Sequence, residues 1–166
     1  MLNNPTQTIM KYLPIFLLLL LSYTAHAQSD EQAIDEVLSG IHTYASTANF
    51  DAYFDLYTEE AIFMGTDATE RWTIDEFKGY ARPAFDRGTG WTYVMTERNI
   101  FVSEDGNTAW FDELLENDGF GQCRGTGALV KTNGGWKVSQ YNLTVPIPND
   151  LLRKVAGMIG DLQPEN

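Results

Sequence analysis

One cysteine, Cys123, is present among 166 residues. That count excludes an intrachain disulfide and a cysteine-based metal site. A lone Cys on a strand reads first as a small buried side chain. Histidine is nearly as scarce, with only His26 and His42. No cluster has ligand spacing, so neither a metal nor a cofactor is expected. Positive charge is the third shortage: 11 Lys and Arg stand against 23 Asp and Glu, for a formal charge of −12. A nucleic-acid partner would need a basic face, and an anionic membrane surface would repel this chain. The acids are spread along the sequence, as on a solvated surface. Long apolar runs are missing too. The longest, Leu13 to Leu21, is short for a membrane-spanning helix. Lys11 before it and Ala25-His26-Ala27 after it make residues 1–27 a secretory signal peptide, cut after Ala27. The expected product, residues 28–166, is a single exported domain, periplasmic or secreted, with no stable membrane insertion.

What is present is periodicity. Ile34, Val37, Leu38, Ile41, Tyr44, Ala45 and Ala48 fall at three- and four-residue steps, predicting a helix over 29–48. His42 lies off that stripe and is expected to flank solvent. Phe50, Tyr53, Phe54 and Tyr57 predict a second, short helix, and residues 61–65 a strand. Thr73 and Glu76 form a capping box for a third helix, with Ile74, Phe77, Tyr80 and Ala81 on its apolar face. Pro83 should end or kink it, and Gly88 should stop it. A strand follows over 91–103, its alternation broken near Glu97-Arg98 as a bulge would break it. Three Asx-Gly pairs, at 105–106, 118–119 and 133–134, then punctuate runs 107–117, 120–132 and 135–146. Such pairs supply the positive φ of tight hairpins, so these runs form an antiparallel meander. A last helix starts at Asn149 or Asp150. The order is α+β: a strongly curved, mainly antiparallel sheet wrapped as a cone-shaped barrel around N-terminal helices, plus a C-terminal helix.

Strand parity sets the candidate site. If Trp136 and Val138 point inward, the same parity carries Gln140 and Asn142 inward. Ala109 and Phe111 share a face with Glu113, and Ala128 and Val130 with Arg124. Polar groups on an inner face need partners or water, which points to a small-molecule cavity.

The sequence resembles the SnoaL-like branch of the nuclear transport factor 2-like superfamily over roughly 31–150. The resemblance is carried by Phe63-Met-Gly-Thr-Asp67 with Glu70-Arg-Trp72, and by Ala109-Trp-Phe111. It is carried also by Arg124-Gly-Thr-Gly127 with Leu129 and Lys131, and by Gly135-Trp-Lys-Val138-Ser-Gln-Tyr-Asn-Leu143 leading into Pro146 and Pro148-Asn-Asp150. It implies a cone-shaped barrel with an internal pocket, often dimerising through its sheet. Some members are isomerases, dehydratases, cyclases or epoxide hydrolases, and many perform no chemistry. Relatives often carry a His near the positions of Gln140 and Asn142. This chain has amides there, which argues against His-driven acid–base catalysis.

Glu113 and Arg124 would face each other across the cavity. Either Arg124 holds an anionic group while Glu113 moves a proton, or the two form a buried structural pair. Asp67 is the second acid–base candidate; its alternative is a local turn or a pair with Arg71. Trp72, Tyr80 and Trp91 could wall a ring-shaped ligand or simply fill core. Gln140 and Asn142 would bond a ligand or satisfy each other. Gly125 and Gly127 are expected to permit sheet bending. The leading expectation is a binding domain for a partly apolar organic molecule. A cofactor-independent lyase, isomerase or hydrolase comes second, and a homodimeric interaction module third.

Overall fold

The computed structural model describes residues 30–162. The expected leader and its cleavage after Ala27 lie outside the described residues. Helix α1 (residues 30–46) buries Ile34, Leu38, Ile41 and Ala45, the stripe its periodicity marks. Removing each larger side chain from water stabilises the fold by roughly 1.5–3 kcal/mol. The stripe packs in one cluster with Ala109, Phe111, Leu115, Leu129 and Val138 of the sheet. Helix α2 (Phe50–Asp55) follows and is capped by the Asn49 side chain.

Six strands form one sheet: β1 (Tyr57–Met64), β2 (Arg71–Thr73), β3 (Val94–Val102), β4 (Thr108–Asn117), β5 (Gly121–Thr132) and β6 (Gly135–Thr144). Their order is β2-β1-β6-β5-β4-β3. All neighbours are antiparallel except β1 and β6, which run parallel. The sheet is curved but not closed; β2 and β3 are its edges. The expected α+β architecture is present, with its strongly curved, mainly antiparallel sheet, its meander and its N- and C-terminal helices.

Between β2 and β3, helix α3 (Ile74–Phe85) begins with the expected capping box: Thr73 accepts from the Glu76 amide, and Glu76 accepts from the Thr73 amide. Pro83 is accommodated inside α3, which runs on to Phe85. The stop comes at Gly88, whose φ of +71° lets its amide bond the Phe85 carbonyl. Helix α4 (Asn149–Leu162) buries none of its side chains among the described residues.

Two bulges decide which side chains face α1. One lies between Met95 and Glu97 on β3, where the broken alternation predicts it. The other lies at Ser139 on β6: Leu129 opposes Val138, yet Ala128 opposes Gln140. The Ser139 hydroxyl donates to the Ala128 carbonyl across that gap at 3.1 Å. One extra residue exchanges the two faces of a strand. Trp136 and Val138 are therefore buried before the bulge, and Tyr141 and Leu143 after it. Gln140 and Asn142 turn outward, against the expectation that they line a cavity. Arg124 also faces out. It does share a face with Ala128 and Val130, but the buried face of β5 carries Cys123, Gly125 and Leu129.

Gly125 and Gly127 have a steric reason beyond sheet bending. A Cβ on Gly125 would collide with the Tyr141 hydroxyl and come within 2.8 Å of Glu113 Oε1. A Cβ on Gly127 would strike the Gln140 carbonyl and approach Phe111 Cε1 to 2.8 Å. Gly125→Ala should lower stability by about 1–3 kcal/mol in urea unfolding, an overpacking cost. Adding Tyr141→Phe should recover part of it. A Gly125→Ala protein as stable as wild type would show that this crowding is not real.

Candidate functional site

Two polar environments flank the aromatic core, and they differ in access. The first is centred on Glu113, one of the few buried charged residues, at 1% exposure. Its register partner on β3 is Arg98. Arg98 Nε donates to Glu113 Oε2 at 2.8 Å. Arg98 Nη2 also lies 2.8 Å from that oxygen, off its N–H direction, so it contributes charge without a hydrogen bond. Tyr141 Oη donates to Glu113 Oε1 at 2.7 Å, and His42 Nε2 lies 3.0 Å from the same atom. Arg98 Nη1 reaches α1, donating to Asp35 Oδ1 at 2.7 Å and to Ser39 Oγ at 3.0 Å. The carboxylate thus joins α1, β3, β4 and β6.

Burial alone would push the Glu113 carboxyl up. The His42 hydrogen bond and charge, the Arg98 charge and the Tyr141 hydroxyl outweigh it and hold the group below its ordinary value. Burial first, then the Glu113 charge, pushes the Tyr141 hydroxyl well above its ordinary range. An ionised carboxylate with three donors and a close guanidinium is a poor base and a strong anchor. Arg124 is not its partner. His42, expected to flank solvent, turns inward instead, because Glu113 supplies a buried acceptor beside α1.

The second environment is a cleft of about 250 Å³ where β1, β2, β6 and α3 meet. Phe63, Phe77 and Leu143 form its floor, with Trp72, Tyr80, Trp91, Tyr93 and Phe120 around them. Trp72 stacks on Tyr80 at 4.7 Å between ring centroids, and Phe63 on Phe77 at 3.8 Å. The polar lining is Gly65, Thr66 and Glu70. Burial pushes the Tyr93 hydroxyl up to about 12, with Cys123, Tyr80 and Glu70 adding to it, so it stays a protonated donor at neutral pH. Tyr141 lies behind Phe63, stacked at 5.6 Å, and separates Glu113 from the cleft floor.

Trp72, Tyr80 and Trp91 are therefore brought together, whereas Arg124, Gln140, Asn142 and Glu113 do not line this cleft. Asp67 sits exposed in the loop from β1 to β2. Its Oδ1 accepts from the Thr69 hydroxyl at 2.6 Å and the Thr69 amide at 2.8 Å, which holds its carboxyl below the ordinary value. Thr69, not Arg71, is its partner. The same turn presents Glu70, whose Oε2 accepts from the Asp67 amide at 3.1 Å and lies over Gly65. Glu70 lies within the motif Glu70-Arg-Trp72, and strand pairing of β2 with β1 explains its position, but no periodicity in so short a strand marks it. Among the described residues no cluster of His, Cys, Asp and Glu could hold a metal ion, and no helix is long and apolar enough to cross a membrane.

Comparison with known proteins agrees with this architecture. The SnoaL-like domain family matches residues 34–148. The chain belongs to that family, and hence to the SnoaL-like branch of the nuclear transport factor 2-like superfamily. Among curated proteins none matches it by sequence. One similar solved structure is a candidate dehydratase of the nuclear transport factor 2-like family from Streptomyces avermitilis. Its TM-score is 0.63 at 11% identity, over 74% of this chain and 99% of that one. Another is a nuclear transport factor 2-like protein of unknown function from Pseudomonas putida KT2440, with TM-score 0.61 at 10% identity, over 75% and 91% of the two chains. A third is a candidate aromatic ring hydroxylase from Novosphingobium aromaticivorans, with TM-score 0.59 at 19% identity, over 72% and 91%. At these identities the likeness establishes the fold alone.

Removing the Glu113 charge leaves the buried Arg98 guanidinium with the half-exposed Asp35 as its remaining counter-charge. Glu113→Gln should cost about 3–5 kcal/mol at pH 7 by chemical denaturation. A carboxyl whose folded value lies below the ordinary 4.5 stabilises fully above that pH, and the stabilisation is lost as pH falls through the folded value. The gap between wild type and Glu113→Gln should therefore shrink from pH 6 to pH 3. A gap that is constant with pH would contradict an ionised, anchored Glu113.

Proposed function

We propose that this domain binds a small, flat, largely apolar organic molecule in the cleft between β1, β2, β6 and α3. The observation that carries the reading is the cleft itself: aromatic walls from Trp72, Tyr80 and Trp91 around a few polar groups at one side. Binding sites for small molecules commonly combine such apolar walls with few polar contacts. Arg124, Gln140 and Asn142 stand on the outer face of the sheet and take no part in the cleft. Export of the domain from its 1–27 leader belongs to the same proposal and is tested by N-terminal sequencing of the secreted or periplasmic protein.

A second reading, cofactor-independent lyase, isomerase or hydrolase chemistry, has one specific support. Glu70 is a carboxylate open to the cleft, with the protonated Tyr93 hydroxyl in the same lining. In that case Glu70 is the acid–base group and Tyr93 the hydrogen-bond donor, while Glu113 anchors α1. Homodimerisation is supported by the exposed Phe101–Trp110 stack on the outer sheet face, at 5.7 Å between centroids.

Metabolite mass spectrometry on gently purified protein should find a small aromatic or polycyclic compound. Trp72→Ala should weaken its binding about tenfold, the loss expected for one aromatic contact. Arg124→Ala should leave both affinity and stability within about 0.5 kcal/mol of wild type. Strong loss in Arg124→Ala with none in Trp72→Ala would move the site off this cleft.

A further inference from the structure

The cleft combines π-rich walls with one carboxylate and no compensating cation. Glu70 is its single acidic side chain, and none of its described lining residues is Lys, Arg or His. Glu70 Oε2 accepts one backbone amide, from Asp67 at 3.1 Å; among the described residues Glu70 Oε1 has no hydrogen-bond partner and neither oxygen lies in an ion pair. The adjacent acids are engaged elsewhere, and Arg71, next to Glu70 in sequence, does not line the cleft. Asp67 is tied to Thr69, Glu76 is held by the helix cap at Thr73, and Glu113 lies behind Tyr141 with Arg98. The open carboxylate of Glu70 is thus the charge a ligand would meet.

Aromatic faces carry the negative side of a ring quadrupole. Trp72, Phe77 and Tyr80 lie within 23° of parallel in each pairing, and all three line the cleft together with Glu70. Such walls favour cations, with Trp the best partner and Tyr close behind. An organic anion would meet the Glu70 charge in a chain whose formal charge is −12. The same overall charge raises the local concentration of cations and speeds their arrival.

Resting on the cleft reading above, we infer that the cleft selects an organic cation, an aryl-substituted ammonium or a flat cationic heterocycle, with its ring on Trp72 and Tyr80 and its charge beside Glu70. Thr66 and Tyr93 supply hydroxyls at the rim for a polar substituent. The charge defines the ligand class; the aromatic walls alone would accept neutral and cationic rings alike.

The test compares benzyltrimethylammonium with neopentylbenzene, which has the same shape and no charge. Calorimetry and tryptophan fluorescence are read on the purified protein at about 0.15 M salt, and on Glu70→Gln. Wild type should bind the cation about tenfold more tightly than the neutral compound, a ratio within the span of cation–π and ion-pair contributions. Glu70→Gln should erase most of that preference, chiefly by weakening the cation. Added salt should weaken only the cation. Equal or tighter binding of neopentylbenzene to wild type overturns the cation proposal and leaves the cleft reading standing. So does a Glu70→Gln protein that keeps the full preference. Failure of both compounds to bind removes the cleft reading and this inference together.

Discussion

The Glu113 carboxylate is the constraint around which the rest of the structure is arranged. It sits where α1 crosses the sheet, and Arg98, His42 and Tyr141 converge on it from β3, α1 and β6. A buried charge is tolerated only with such compensation. The compensation in turn dictates local sequence. Gly125 is opposite Glu113 because any side chain there would occupy the space of the Tyr141 hydroxyl. Ser139 bulges β6 so that Tyr141, two residues on, points inward rather than out. Arg98 faces α1 because β3 bulges before it.

That arrangement separates anchoring from binding. The satisfied carboxylate holds α1 to the sheet, and the aromatic layer of Phe63, Phe77 and Tyr141 stands between it and the cleft. The cleft retains one open acid, Glu70, and π faces. The Glu113 carboxylate, with Arg98, Tyr141 and His42 already in place on its two oxygens, is held stiffly and is poorly disposed to take a proton from a substrate. Reactivity or recognition is then left to groups that still face solvent, which here belong to the β1–β2 turn and α3.

Much of this fold was legible in the sequence because its signals are local. The Thr73–Glu76 capping box, the 3.6-residue stripe of α1 and the Asx-Gly punctuation of the meander each depend on neighbours a few residues apart. Even there, positive φ falls on Gly121 and Gly135 rather than on Gly119 and Gly134. Glu113 could be read as inward from Ala109 and Phe111, and Trp72, Tyr80 and Trp91 could be grouped by their aromatic character. The partners of Glu113 could not. Two bulges shift the parity of β3 and β6, and only the fold reveals their effect on Arg98, Gln140 and Asn142. Arg124 does share a face with Ala128 and Val130, but that face is the outer one; the inward positions of β5 are Cys123, Gly125 and Leu129, with Gly125 making room for the Tyr141 hydroxyl. His42 lies off the apolar stripe because what it meets on the inner side is a carboxylate, not hydrocarbon.

The four tryptophans give the most direct measurement, because they sample separate places. Trp72 and Trp91 line the cleft, Trp110 stands on the outer sheet face, and Trp136 is buried with its indole N–H bonded to Asp30. Titration with benzyltrimethylammonium, followed by the indole N–H resonances in a proton–nitrogen correlation spectrum, reports which of these places a ligand visits. The account predicts saturable shifts at Trp72 and Trp91 while Trp110 and Trp136 stay fixed. Shifts confined to Trp110, or none at Trp72 and Trp91, would contradict it.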